Sequence, residues 1–400
     1  MTGTVGASSM LFPSSSLGNN SEKILVTGSL PTRPFGITGT NVSMLALGGS
    51  FDTIQNQIIL RQAIKLGVTY WETAASYRNG KSEKGLGNYF KKYPEDRQKI
   101  FLATKTHLRR PGEMTIALDE SLQRLNTNYI DIYLWHRVES LESIYTSSVR
   151  DWVGKMKREG KIRFFGFSVH SDIEETMLAA AKLVGIDGIQ FSYNFRVMHS
   201  DKMKKAIMAC CDSGIGLTAM KTVGNESSDR FQGAPRMTES ENELLSQLVG
   251  KFLQKGFTDI QARLMAVWQN PHIASICSYM PNLTILASNV SAALNWKKLS
   301  RSDMRILKQY AQATSSEYCK GCAAICTSEV GGDVPIHDVM RYLMYYYGYR
   351  DPDRARFLFS QLSPETRMRI ESIDYSVAER KCPQKIPIGK LMKEAAMMLA

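Results

Sequence analysis

Thr69-Tyr-Trp-Glu-Thr-Ala-Ala-Ser-Tyr-Arg-Asn-Gly-Lys-Ser-Glu-Lys-Gly-Leu-Gly87 runs from the end of an apolar strand, through a polar loop, into a helix that starts near Ser82 and Glu83. Glu72 lies just past the apolar run and Tyr77 five residues on. In a parallel α/β protein, chemistry gathers where strands end and loops begin. A capped helix start with an incidental tyrosine would read the same way, so the neighbouring segments decide.

From Asn41 onward, short β-rich runs alternate with amphipathic helical ones, the pattern of βα units around a parallel sheet. The pattern predicts strands at Met44–Leu47, Val68–Trp71, Ile100–Thr104, Ile130–Leu134, Phe164–Phe167, Gly188–Phe191, Leu217–Met220 and Ile273–Ile276. Eight strands separated by helices over about 280 residues predict a closed (β/α)8 barrel rather than an open doubly wound sheet. The absence of Gly-x-Gly-x-x-Gly after the first strand also disfavours a Rossmann start. Between the fourth and fifth strands, Leu141, Ile144, Tyr145, Val149, Val153 and Met156 recur at helical spacing as a packing stripe. A helix over Asp303–Thr314 closes the barrel, and the composition changes at Cys319.

The 400 residues, 43% of them hydrophobic, suffice for a full core and one further domain. Lys and Arg outnumber Asp and Glu by 50 to 38, a formal charge of +12. The surplus is spread along the chain with no nucleic-acid motif, which argues against nucleic acid as a partner. No apolar run is long enough to span a membrane. Residues 1–31 are rich in Ser, Gly and Thr and read as disordered. Their stretch Thr4-Val-Gly-Ala-Ser-Ser-Met-Leu-Phe-Pro13 resembles the apolar part of a twin-arginine export signal without its arginines. The expected location is cytoplasmic for the chain as it stands, or periplasmic if the true start lies upstream.

The third strand ends in Thr104-Lys105 and the fourth in Leu134-Trp-His136. An ammonium or imidazole directly after an apolar strand must find a partner. With Glu72 and Tyr77, these residues follow three successive strands and converge on one mouth. The set suits carbonyl reduction. A tyrosine hydroxyl, with a reference pKa of about 10, is a weak acid near neutrality. A neighbouring ammonium lowers that pKa, a carboxylate holds the ammonium, and a neutral histidine orients the carbonyl by a hydrogen bond.

These residues, with Pro34-Phe-Gly-Ile-Thr-Gly-Thr-Asn-Val-Ser43, Glu72-Thr-Ala-Ala-Ser-Tyr77, Gly80-Lys-Ser-Glu83, Gly166-Phe-Ser168, Gln190-Phe-Ser-Tyr-Asn194 and Asn289, resemble the aldo-keto reductases in order across residues 32–314. The resemblance implies a barrel with an extended nicotinamide cofactor, NADP or NAD, across its mouth. It implies a catalytic set on Glu72, Tyr77, Lys105 and His136, acting on a small carbonyl or alcohol. Ser168, Gln190, Lys221, Tyr279, Asn282 and Asn289 become candidate cofactor contacts. Three departures stand out. Glu72 replaces the family's usual Asp and is longer by a methylene, about 1.5 Å. Val169 stands where many relatives place an amide side chain. Cys277-Ser-Tyr-Met-Pro-Asn282 and the residues up to Asn289 lack the Lys and Arg that often hold a 2′-phosphate. The alternative is a barrel that no longer turns over and serves as a nucleotide- or redox-sensing binding protein.

Of seven cysteines, Cys210, Cys211 and Cys277 lie in apolar segments and read as core. Cys319-x2-Cys322-x3-Cys326 and the remote Cys382-Pro383 are spaced as metal ligands. Val334-Pro-Ile-His-Asp-Val-Met340 after the first group and Ile386-Pro-Ile-Gly-Lys-Leu-Met392 after Cys382 form an internal repeat. The stretch resembles a mostly helical, ferredoxin-like tail fused to one branch of the aldo-keto reductases, here residues 315–400. The resemblance implies one [4Fe–4S] cluster and an electron-transfer partner protein. A structural zinc on four thiolates, or unrelated free thiols, are the alternatives.

Overall fold

Pairing of short parallel segments carries the fold. The computed structural model describes residues 30–223, 239–332, 334–348 and 351–400. The expected disordered segment lies outside the described residues, apart from Leu30 and Pro31. An antiparallel hairpin, β1 (Thr32–Pro34) and β2 (Asn41–Ser43), precedes β3 (Leu45–Gly48), β4 (Tyr70–Glu72), β5 (Phe101–Thr106), β6 (Ile130–Val138), β7 (Ile162–Val169), β8 (Gly188–Ser192), β9 (Gly216–Met220) and β10 (Ile273–Tyr279). Strands β3 to β10 form a closed parallel barrel in chain order, sealed where β10 pairs with β3 through Ile276–Leu45 and Tyr279–Gly48. All eight predicted strands are present.

Alternation along each strand sorts the side chains. Ala46, Tyr70, Phe101, Ala103, Ile132, Leu134 and Ala274 form the inner core. Their neighbours Leu45, Leu47, Trp71, Leu102, Tyr133, Trp135, Phe165, Phe167 and Ile189 face the helical layer. The hairpin sends Phe35 into the amino-terminal end of the barrel, 5.2 Å from the Phe101 ring. Gly188 and Gly216 make room for it, since a Cβ on either would come within 2.6 Å of the Phe35 ring. Full burial of each large apolar side chain contributes roughly 1.5–3 kcal/mol.

The same alternation carries the polar residues inward at the other end. Tyr70 is followed two residues later by Glu72, Phe101 and Ala103 by Lys105, and Ile132 and Leu134 by His136. A register shift between Trp135 and Val138 interrupts the β6–β7 pairing at His136 and Arg137. Bulges of this kind re-aim side chains next to functional sites.

The helix Arg301–Ala313 ends the barrel, and a helical region with its own core follows. Its helices Ile336–Leu343 and Ile388–Leu399 are started alike. Pro335 and Pro387 both sit at φ −75°, with ψ 78° and 73°, and a backbone bond of 2.9 Å joins Ile336 to Val334 and Ile388 to Ile386. The repeat seen in sequence is therefore a repeat in conformation.

This region packs over the carboxyl ends of the barrel strands. Asp172 N donates to Gly321 O at 3.0 Å, and Asn194 Nδ2 donates to Tyr318 Oη at 2.9 Å. Gly321 has φ +79°, and a Cβ there would lie 2.3 Å from His170 O, so the contact requires glycine. Asp338 receives Arg341 Nη1 at 2.7 Å and also accepts from Arg137 Nη2 of the barrel.

Burial raises the Asp338 pKa, but Arg341 and Arg137 outweigh it and leave the carboxyl below its ordinary value. The ion cluster's contribution is thus present above the unfolded pKa of about 3.9 and is lost as pH falls through the lowered value. Asp338→Asn leaves two guanidinium groups facing each other. It is expected to cost about 2–3 kcal/mol in urea unfolding at neutral pH, with a gap to wild type that shrinks below about pH 4.

Candidate active site

The organising stretch is held from both sides. Ser82 Oγ donates to Gly49 O at 2.5 Å and lies 2.7 Å from Thr73 Oγ1, while Glu83, fully buried, accepts from Thr104 Oγ1 at 2.5 Å and Arg124 Nε at 2.6 Å. These bonds pin the helix Lys81–Lys92 to β3, β4 and β5, leaving Thr73–Gly80 as a short loop over the mouth. Ala75 N donates to Lys105 O at 3.1 Å, which sets the height of Tyr77 above β5.

Glu72, Tyr77 and Lys105 form one hydrogen-bonded group. Lys105 Nζ donates to Glu72 Oε1, to Thr73 O at 2.8 Å and to Tyr77 Oη at 3.3 Å. Tyr77 Oη donates to Glu72 Oε1 at 3.0 Å, and Gln190 Nε2 reaches the same oxygen at 3.4 Å. His136 stands edge-on to the Tyr77 ring, with centroids 5.7 Å apart. Its Nδ1 lies 3.4 Å from Ser76 Oγ, and His107 stacks on its ring at 4.4 Å. The structure thus brings together all four residues singled out at the strand ends.

Burial dominates the electrostatics. It lowers the Lys105 pKa from its ordinary value, with Cys277 opposing and Arg354 adding to the shift. The Glu72 carboxylate is the counter-charge that makes a buried ammonium tolerable. His136 is held well below the usual imidazole value, first by burial and then by Lys105, His107, Arg137 and Arg354. His107 is pushed down to about 4 by burial, with Arg137, Arg109 and Lys105 adding to the effect. Both rings are therefore neutral near pH 7, and a neutral imidazole can donate one hydrogen bond to a carbonyl oxygen.

The candidate cofactor residues divide into two sets. Ser168, Gln190 and Lys221 lie at the ends of β7, β8 and β9. Ser168 Oγ accepts from Arg137 N at 3.0 Å, and Gln190 Oε1 is buried with no hydrogen-bond partner among the described residues. Burial, followed by Arg341, Arg137 and Arg354, holds Lys221 well below the usual lysine value. Asn282, Asn289 and Tyr279 are engaged locally. Asn282 Oδ1 caps the helix Leu283–Leu294 by accepting from Ile285 N at 2.9 Å, Asn289 Nδ2 donates to Ser278 Oγ at 3.0 Å, and Tyr279 lies edge-on to Phe51 at 6.4 Å. Arg78, Asn79, Arg137, Asp172 and Lys221 all have positive φ and all lie on loops or strand ends at this mouth. Non-glycine residues in that conformation are strained and cluster at functional sites.

The Aldo/keto reductase family matches residues 40–295, more than half of the chain. The chain belongs to the aldo/keto reductase family. It is 28% identical over 228 residues to the aldo-keto reductase yakc [NADP(+)] of Schizosaccharomyces pombe, covering 54% of this chain and 62% of that protein. It is 26% identical over 287 residues to L-galactose dehydrogenase of Arabidopsis thaliana, covering 67% and 89%. Solved structures share the fold. An aldo-keto reductase from Bacillus halodurans in its holo form has TM-score 0.59 at 20% identity, covering 71% of this chain and 97% of that one. One from Klebsiella pneumoniae, in complex with NADP and acetate, has TM-score 0.56 at 22% identity, covering 70% and 95%.

The departures from the family pattern acquire a physical reading. Glu72 is long enough to accept from Lys105 and Tyr77 at one oxygen. Val169 is buried against the outer core with Phe165 and Phe167, while Ser168 takes the inward position, so Val169 is a packing residue. Four residues at the mouth were not reached from sequence: Ser76, His107, His170 and Arg354. Ser76, His107 and His170 follow strand ends and could have been found by that rule. Arg354 is more than 200 residues from Tyr77, Lys105 and His136 and carried no sequence signal.

Proposed function

We propose that the chain is a nicotinamide-dependent oxidoreductase that reduces a small carbonyl compound or oxidises the corresponding alcohol. Residues 32–314 would form the catalytic barrel and residues 315–400 a ferredoxin-like domain carrying one [4Fe–4S] cluster. The observation that carries the reductase reading is the group formed by Glu72, Lys105 and Tyr77, closed by neutral His136.

NADP or NAD fits the mouth on the chemistry of its donors and acceptors. The unpartnered Gln190 Oε1 would accept from a carboxamide N–H, and Ser168 lies one strand away. Burial and the nearby Arg137 and Arg341 disfavour the Lys221 ammonium, and a bound pyrophosphate would restore its charge while meeting the two guanidinium groups. A bound reduced nicotinamide supplies the hydride. Tyr77 then gives its proton to the carbonyl oxygen, which requires only that its O–H turn away from Glu72. The Lys105 ammonium stabilises the phenolate left behind. Glu72 keeps that ammonium charged and in place, and His136 aligns the carbonyl by donating to its oxygen. Neither Glu72 nor Val169, the two departures that suggested a silent barrel, is placed so as to block these roles.

The four cysteines at 319, 322, 326 and 382 line one pocket, walled by Ile325, Met340 and Ile388. A zinc tetrahedron with Zn–S bonds of about 2.3 Å needs sulfurs about 3.8 Å apart. Among the described residues, the one set of three or more His, Cys, Asp and Glu ligand atoms found within 4.8 Å of one another is Glu139, His337 and Asp338. No three of the four thiols are therefore gathered as tightly as one zinc ion would require, and the support for a cluster is the cysteine spacing and the internal repeat. Burial raises the pKa of Cys319 to about 11, Cys322 to about 12 and Cys326 to about 11, so binding would release protons. When bound, such a cluster accepts or donates one electron at a time.

Two outcomes test this reading. Tyr77→Phe removes only a hydroxyl, so nicotinamide binding should persist while aldehyde turnover falls by at least about 10²-fold. Unchanged hydride transfer in a single turnover would remove Tyr77 from the mechanism. Anaerobically purified protein should be brown, with about four iron and four sulfide per chain, and Cys382→Ser should lose or degrade the cluster. Stoichiometric zinc without sulfide would contradict the cluster assignment.

A further inference from the structure

We infer that Ser76, on the loop that carries the proposed proton donor, is a positioning residue for carbonyl reduction: its hydroxyl holds the His136 imidazole in the tautomer with the proton on Nε2. The inference rests on the reductase reading above and adds the group that sets which nitrogen of His136 donates.

A neutral imidazole carries one ring proton, so one nitrogen donates and the other accepts. A carbonyl oxygen only accepts, and His136 can align it only through the nitrogen that holds the proton. Burial, followed by Lys105, His107, Arg137 and Arg354, keeps the ring neutral near pH 7, so an imidazolium with two N–H groups is not at hand. Which nitrogen is protonated is then decided by the partner of the other.

Nδ1 has one hydrogen-bonding neighbour among the described residues, Ser76 Oγ at 3.4 Å. Nε2 makes no hydrogen bond to a described residue, which leaves it for a ligand. Ser76 is itself exposed, yet its hydroxyl turns to this buried ring and makes no other hydrogen bond to a described residue. With the O–H directed at Nδ1, Nδ1 accepts and Nε2 carries the proton. In the reverse arrangement Nδ1 would donate to Ser76, and Nε2 would meet a carbonyl oxygen lone pair against lone pair. The 3.4 Å separation is long for O–H···N, and catalytic hydrogen bonds in unliganded sites tighten when the substrate settles the ring.

The other contacts fix the place of the ring without setting its proton. His107 stacks on it with centroids 4.4 Å apart and planes inclined by 23°, and the Tyr77 ring stands at 79° to it. Arg109 Nη2 donates to His136 O at 2.6 Å and holds the main chain where the β6–β7 pairing is interrupted. None of these gives or takes a proton at Nδ1. Across the mouth, Ala75 N donates to Lys105 O at 3.1 Å, Tyr77 N to Ala74 O at 3.0 Å and Asn79 N to Ser76 O at 3.4 Å. The main chain is thus tied on both sides of Ser76, and the hydroxyl is presented to the ring from a fixed backbone. One loop therefore delivers both the proton donor, Tyr77, and the group that aims the hydrogen bond of His136.

The experiment uses the full chain loaded with nicotinamide cofactor, as wild type, Ser76→Ala and Ser76→Thr. Nitrogen NMR of histidine-labelled protein shows which ring nitrogen holds the proton, and the His136 signal among the six histidines is identified by its loss in His136→Gln. In wild type the proton should be on Nε2, and in Ser76→Ala a form with the proton on Nδ1 should appear. Where a buried carboxylate fixes a catalytic histidine, its loss slows the reaction by about 10⁴-fold, and a neutral hydroxyl sets a weaker preference, so single-turnover hydride transfer to pentanal should slow by about tenfold in Ser76→Ala. Cofactor affinity should be unchanged, and Ser76→Thr, which keeps the hydroxyl, should return both the tautomer and the rate towards wild type. A proton on Nδ1 in wild type, or a His136 tautomer unchanged in Ser76→Ala, would overturn the inference even with slower transfer, since a displaced loop alone would slow it. Ser76→Thr as slow as Ser76→Ala would overturn it too. If wild type transfers no hydride while the tautomer depends on Ser76, the reductase reading fails and the tautomer assignment stands. If transfer depends on Tyr77 while neither tautomer nor rate responds to Ser76, the inference fails and the reductase reading stands.

Discussion

A lysine ammonium with 1% of its side-chain surface exposed sits inside the upper end of this barrel, and the surrounding arrangement follows from keeping it there. Lys105 occupies an inward position of β5 because Phe101 and Ala103 precede it in alternation. An unpaired charge at that depth would cost several kcal/mol, so a carboxylate must meet it. Glu72, on the adjacent strand β4, does so and at the same oxygen accepts from Tyr77. The loop that carries Tyr77 is therefore tied to the barrel by the pair that it serves. Burial that would discharge a lysine, and does neutralise His136, makes the remaining electrostatic contacts stronger than they would be in water.

The second constraint is the C-terminal helical region. It meets the mouth at four strand ends, through Arg137 at the end of β6, Asp172 after β7, Asn194 after β8 and Arg354 against the loop after β4. Three of the residues under it, Arg137, Asp172 and Lys221, hold positive φ. Their strain of order 1–3 kcal/mol each has to be offset by the contacts made across this surface. A cavity ringed by cysteines then lies on the same polypeptide segment that touches His170 and Asn194. Tyr318 and Gly321, which make these contacts, adjoin Cys319 and Cys322 in the cavity wall.

Much of this was legible in the sequence because strands buried on both faces leave continuous apolar runs, which marked all eight barrel strands. Position at successive strand ends then singled out Glu72, Lys105 and His136, and ligand spacing marked the four cysteines. What escaped did so for physical reasons. The hairpin β1–β2 is three residues a side and too short to show a period. The helix Asp259–Trp268 is buried nearly all round, so Ala262–Trp268 shows no polar face. The helix after β6 spans Ser147–Arg158, although the apolar stripe began at Leu141, because Leu141 and Tyr145 pack into the core from a loop. The helix carrying Asn289 spans Leu283–Leu294, started by the Asn282 cap. Arg354 could not be found at all, since its place over Tyr77 is created by the docking of one region on another.

The central claim is that one carboxylate oxygen of Glu72 organises both Lys105 and Tyr77, and the most direct test is single-turnover hydride transfer in Glu72→Asp and Glu72→Gln. Shortening the arm by about 1.5 Å withdraws the oxygen from at least one partner, and the amide removes its charge. The account predicts slower transfer in Glu72→Asp and still slower transfer in Glu72→Gln, with nicotinamide binding retained in both. Transfer in Glu72→Asp as fast as in wild type, or faster, would contradict it.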